Sequence, residues 1–240
     1  MISKINMMVN VTEEQLHIEK KHQDIVELYV SQEITEEEGN KRIGSLLKKA
    51  YKDGVFTRTD IKSYNQRRDP PSSENGIRPH IQFAMDLRNS HIKEKKTVEH
   101  FVSSLEMKGY EADYESFGTD DNGYVMIANF WDRYDTPNRP DYRVLWNGTW
   151  KNVEAKNFNG RIWLKVSNLK KYKEWKSCIV IGFNGLYYLF SRKTVIHLLD
   201  NAKGGFTNVR GKPSVVITTN GDNAHFSLKK LIEIDAVKSV

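Results

Sequence analysis

Residues 140–156 read Pro140-Asp141-Tyr142-Arg143-Val144-Leu145-Trp146-Asn147-Gly148-Thr149-Trp150-Lys151-Asn152-Val153-Glu154-Ala155-Lys156. Asn-Gly is the strongest two-residue hairpin signal, and the residues on either side of it alternate in polarity and are rich in β-formers. The spacing predicts two antiparallel strands joined at Asn147-Gly148. Side chains alternate faces along a strand, so Glu154 and Lys156 share one face and Ala155 points to the other. The turn folds Asp141 back toward Glu154, thirteen positions later in the chain. Two carboxylates and an ammonium then converge at one end of the hairpin, beside an aromatic-rich face. Such oxygen donors form a cup for a hard divalent cation.

The surrounding chain bounds what this hairpin belongs to. Its 240 residues suit one medium domain, or a domain of about 150 residues with an appendage. A net charge of +6 points weakly to a polyanionic partner and equally to a lysine-rich solvated surface. A single cysteine, Cys178, excludes an internal disulfide and a cysteine-based zinc site. It lies in the apolar run from Cys178 to Phe183, which reads as a buried strand, and a reducing, cytosolic setting is expected. No apolar run approaches a membrane span, and no apolar signal core precedes Glu13-Glu14. The seven histidines are scattered without ligand-pair spacing, and no glycine-rich loop leads into Lys-Ser or Lys-Thr.

The first third is helical in pattern. Thr12 followed by Gln15 predicts a capping box opening a helix to about Val30, and Thr35 followed by Glu38 repeats the device. In the second helix Ile43, Leu46, Leu47, Ala50 and Tyr51 share a face, while Lys41, Arg42, Lys48, Lys49 and Lys52 lie elsewhere. A short third helix is expected from Thr59-Asp60 to Tyr64. The following proline- and serine-rich stretch reads as a linker, giving a helical domain over 1–66, a linker over 67–78 and a second domain over 79–240. The helical domain is either a DNA-binding module or a dimerisation or packing arm.

Past the linker, Ile81 to Leu87 is a short apolar segment and Lys93 to Lys96 leads into a helix from about Thr97, with Val98, Phe101, Val102 and Leu105 as its buried stripe. Gly109 stops it. Strands are expected at Tyr110–Phe117 and Tyr124–Trp131, with Asp120-Asp121-Asn122-Gly123 as the turn between them. Beyond the hairpin, Ser167 or Asn168 caps a helix to about Trp175. Strands over Cys178–Phe183 and Leu186–Phe190 flank Asn184-Gly185, and a short helix covers Thr194 to Leu199. A loop at Gly204-Gly205, a strand at Val215–Thr218 and a helix near Ser227 complete the chain.

From residue 97 the order is a helix ending in Gly109-Tyr110, two strands, a strand opening with Pro140-Asp141, a strand carrying Glu154-Ala155-Lys156, then helix and strand. Over roughly 97–199 this resembles the PD-(D/E)XK nuclease superfamily, the restriction-endonuclease-like fold. The resemblance implies an α/β core with a central mixed β-sheet flanked by helices, here preceded by the N-terminal helical domain. It implies a magnesium-dependent DNA endonuclease, with manganese as a substitute, that hydrolyses phosphodiesters through a metal-activated water. Asp141, Glu154 and the carbonyl of Ala155 would hold the metal, and Lys156 would orient or activate the water, as a donor or, with a lowered pKa, as a base. An acid from the preceding helix is expected, Glu99 first and Glu106 as the fallback. Lys165, Ser167, Asn168, Lys170 and Lys171 would contact the DNA backbone near a helix N-terminus, against a reading in which Leu169, Tyr172 and Trp175 are core and the lysines merely solvated. A homodimer follows from the need to cut two strands. A non-catalytic nucleic-acid-binding protein on a nuclease-like fold is the alternative, and an interaction protein whose hairpin acids are surface charge is a third.

Overall fold

The computed structural model describes residues 12–68, 77–117, 140–202, 206–207, 211–233 and 237–239. The expected turn at Asp120–Gly123, the strand at Tyr124–Trp131, the loop at Gly204-Gly205 and most of the expected linker lie outside them. The chain divides into two compact units, one holding the described residues up to Asn89 and the other those from Ser90 onward.

The first unit is helical. Helix α1 (Glu13–Val30) opens with the expected capping box, in which Thr12 and Gln15 bond each other's backbone amides. At α2 (Glu36–Lys52) Thr35 accepts from the Glu38 amide. Helix α3 (Arg58–Arg68) opens one residue earlier than expected, where Thr57 and Asp60 form reciprocal hydrogen bonds, and runs four residues further. Val26, Ile43, Leu47, Phe56 and Tyr64 pack with Ile81, Phe83 and Ala84 of the next helix.

Helix α4 (His80–Met107) replaces the expected short apolar segment and separate later helix. Between residues 80 and 107 there is neither glycine nor proline, so nothing interrupts the hydrogen-bond ladder when the apolar stripe lapses into charge around Lys93–Lys96. The stripe changes its burial partner rather than ending: Ile81, Phe83 and Ala84 enter the helical core, and Val98, Phe101, Val102 and Leu105 enter the core of the second unit. Gly109, at φ 81°, ends the run.

The second unit is mixed α/β. Its six-stranded sheet contains β1 (Ala112–Ser116), β2 (Tyr142–Trp146), β3 (Thr149–Phe158), β5 (Cys178–Phe183), β6 (Leu186–Phe190) and β9 (Val237–Ser239), in that order. Every pairing is antiparallel except β3 with β5. A second sheet of β4 (Ile162–Lys165), β7 (Ser214–Thr218) and β8 (Phe226–Ser227) includes two strands too short for the sequence pattern to announce. Helices α5 (Val166–Glu174), α6 (Arg192–Asn201) and α7 (Leu228–Glu233) complete it. The α4 stripe covers one face of the main sheet, against Tyr142, Val144, Val153, Ala155 and Val180. Ile179 and Ile181 face the opposite core with Leu169 and Tyr172 of α5 and Val195 and Leu198 of α6. Each fully buried aliphatic here contributes about 1.5–3 kcal/mol.

The expected hairpin forms. Asn147 and Gly148 sit at φ 53° and 70°, the two positive angles a tight primed turn requires, and Trp146 pairs with Thr149. Strand β3 then changes neighbours: it pairs with β2 only as far as Val153 and with β5 from Val153 to Phe158. Among the described residues nothing pairs with its second half on the β2 side.

Candidate active site

That change of neighbours positions the charged residues. Asp141 precedes β2, and its carbonyl accepts from the Phe117 amide at 2.9 Å. Since Tyr142 pairs with Val153, the register carries Asp141 opposite Glu154. Lys156 lies beyond the end of β2, where its side chain reaches three carboxylates. Its ammonium donates to Asp141 Oδ2 and to Glu94 Oε1, each at 3.1 Å, and stands 2.9 Å from Glu154 Oε1. The Tyr172 hydroxyl of α5 donates to Glu154 Oε1 at 2.5 Å, so one carboxylate is tied to two elements at once.

The side chain of Glu154 is only 7% exposed, whereas Lys156, Glu94 and Asp141 are about a quarter exposed, so the cluster opens to solvent on one side. Burial pushes the Glu94 carboxyl up to about 7; Lys156 opposes the rise and Asp141 adds to it. Burial raises Glu154 as well, against the Lys156 charge and with that of Asp141. For Lys156 burial works against the charged form, but the three carboxylates outweigh it and hold the ammonium well above its ordinary range. Tyr172 is raised by burial and by Glu154.

The structure thus brings together Asp141, Glu154 and Lys156, with Ala155 wholly buried beneath them at 0% exposure. The α4 acid it adds is Glu94. Glu99 is elsewhere, accepting from the Tyr114 hydroxyl at 2.9 Å and facing Lys95, and Glu106 is exposed. Glu94 stands four residues before Val98, seven before Phe101 and eleven before Leu105, the positions of a single helix face. A carboxylate continuing the buried stripe was the signal for it, masked by starting the helix at Thr97.

Helix α5 begins at Val166, with Lys165 at the cap position and no side-chain cap bond, so neither Ser167 nor Asn168 caps it. A lysine side chain has no acceptor to offer the first amides. Asn168 lies one turn before Tyr172 on the same helical face, Ser167 and Lys170 are exposed, and Lys171 is half-buried. Leu169 and Tyr172 are core.

Among the described residues no three His, Cys, Asp or Glu side chains form a ready metal cage; the oxygens converge on the Lys156 ammonium instead. The donor set nevertheless fits a hard divalent cation. With all three carboxyls ionised, as a bound cation requires, three carboxylates against one ammonium leave two negative charges, the amount such an ion neutralises. Among the described residues no helix is long and apolar enough to cross a membrane. No protein-family model matches the chain, and no curated protein matches it.

Proposed function

We propose that the protein is a magnesium-dependent DNA endonuclease of the PD-(D/E)XK type, acting as a cytosolic homodimer. The observation that carries this reading is the convergence of Glu94 of α4, Asp141 just before β2 and Glu154 of β3 on Lys156. Among the described residues the order α4, β1, β2, β3, β4, α5, β5, with β5 parallel to β3, supports it.

Asp141 and Glu154 would hold the metal, with Glu94 and the Ala155 carbonyl as further oxygen donors. When bound, the ion neutralises charge at the scissile phosphate and lowers the pKa of a water it carries. The chain's own groups divide the remaining work. The Lys156 ammonium, held charged by its three partners, suits a donor to the water or to a phosphate oxygen and not a base. Glu94, its carboxyl raised to about 7 chiefly by burial, is the α4 member of the oxygen cluster and would give up its proton when an ion is held there. Tyr172 fixes the orientation of Glu154. Lys165, Ser167, Asn168, Lys170 and Lys171 supply backbone contacts on the α5 side, and the helical unit serves DNA binding or dimerisation.

The test is incubation of the purified protein with supercoiled, linear and branched DNA, in magnesium or chelator. Cutting that needs the metal and is lost in Asp141→Ala and Lys156→Ala is expected. Cutting undiminished in both variants would remove the site, and metal-independent DNA binding without cutting would favour a binding protein.

A further inference from the structure

The hairpin carries a second arrangement on the sheet face that bears Glu154. Arg143 pairs with Asn152 and Leu145 with Trp150, so Arg143 and Trp150 share that face. The Arg143 guanidinium lies 5.3 Å from the Phe117 ring centroid and 5.5 Å from that of Trp150, while Nη1 donates to Glu115 at 3.1 Å. These contacts hold the flat group in one place. Phe117 is bonded through its backbone to Asp141, and the Trp175 ring meets it edge-on at 6.0 Å. Aromatic and cationic groups thus run from the acid cluster to Trp150, four residues before Glu154 and about 13 Å away along the strand. Trp150 remains 39% exposed.

An open indole next to a fixed guanidinium offers a stacking surface and a positive charge together. Apolar protein partners are poorly served by it, because Asp113, Glu115 and Arg143 occupy the same face. A continuous duplex is poorly served too, since its bases already stack on each other. Unpaired bases have free π-faces and stack on aromatic side chains whatever their sequence, with arginine adding to the attraction. Glu115 takes one of the five guanidinium donors, and a phosphate can engage others.

We propose that the Phe117–Arg143–Trp150 strip holds an unpaired stretch of DNA, with a base stacked on Trp150 and the backbone at Arg143, leading the strand to the acid cluster. The preferred substrate class is DNA with a single-stranded segment beside the cut. This rests on the nuclease reading of the cluster, and binding is measured apart from cutting so that the two can fail separately.

Fluorescence anisotropy in chelator compares a labelled oligothymidine with a blunt duplex of equal length. Trp150→Ala is expected to weaken oligothymidine binding about 5- to 150-fold, the worth of one stacked base, with duplex binding nearly unchanged and Trp150→Phe restoring most of the loss. Oligothymidine binding unchanged in Trp150→Ala, or equal loss for both DNAs without rescue by phenylalanine, would overturn the strip. The same DNAs are then offered with magnesium and with manganese. Trp150-dependent binding without cutting supports the strip and overturns the nuclease reading. Equal cutting of blunt and partly single-stranded DNA, unchanged in Trp150→Ala, keeps the nuclease and overturns the strip.

Discussion

At the residue scale, Asp141, Glu154 and Lys156 were legible because everything that unites them is local. A two-residue turn sets the register, and strand parity sets the face. Glu94 was not, because its place depends on where a helix begins and on which sheet the helix later covers. Its carboxyl also gives the cluster a sign that can be measured. Burial first, then the Asp141 charge against that of Lys156, raises it from 4.5 to about 7. The protonated form is therefore the one the fold prefers. Its stabilising contribution is complete below about pH 4.5 and is lost as pH rises through about 7. Glutamine cannot ionise, so in chelator the melting temperature of Glu94→Gln should rise relative to the parent protein between pH 5 and pH 8. Magnesium should raise the parent more than the variant at pH 8. Calorimetric scans at the two pH values check both; a temperature difference that does not change with pH would remove Glu94 from the charge balance.

At the element scale, the sequence was most informative where structure is closed by near neighbours. The α1 capping box, the hairpin and the β5–β6 turn at Asn184-Gly185 all formed as their residues predict. It was least informative where burial partners change. The charged middle of α4 looks like a connection until two cores are seen to share one helix, and β4 and β8 exist only because β7 lies between them. The α5 start moved for a related reason: the Val166 amide bonds the Pro213 carbonyl at 3.0 Å, a distant partner that replaces a local cap. The hairpin turn is the element on which the site depends most directly. Gly148 has open space around it, so a side chain there meets no neighbour, and its φ of 70° is the whole difficulty. Gly148→Ala should therefore cost about 1–2 kcal/mol through backbone strain alone. Urea titration should show that loss with an unchanged slope. A loss near zero would mean that the turn does not hold the register.

At the scale of the whole molecule, the two units carry ionisable groups of opposite pH sign. In the helical unit His22 is 1% exposed, and burial followed by the Arg68 charge lowers it to about 4. Burial, Arg68 and His22 lower His80 to about 3. Tyr64 links them, its hydroxyl 2.8 Å from His80 Nδ1 and 3.4 Å from His22 Nε2. Both imidazoles are neutral in the fold above these values, so their contribution is complete above the ordinary value of 6.5 and is lost as pH falls through about 4 for His22 and about 3 for His80. For His22 the loss runs at about 1.4 kcal/mol per pH unit. In the second unit burial raises the Glu94 carboxyl to about 7 and raises that of Glu154 as well, so that unit loses stability as pH rises. Amide exchange corrected for intrinsic rate reads the two cores separately. Between pH 8 and pH 5.5 in chelator, protection should fall in α1–α3 and rise in β3 and β5, and magnesium at pH 8 should restore β3 and β5 while leaving α1–α3 unchanged. Protection moving in the same direction in both units would break the assignment, because on opening the buried histidines take up protons whereas the buried carboxyls release them.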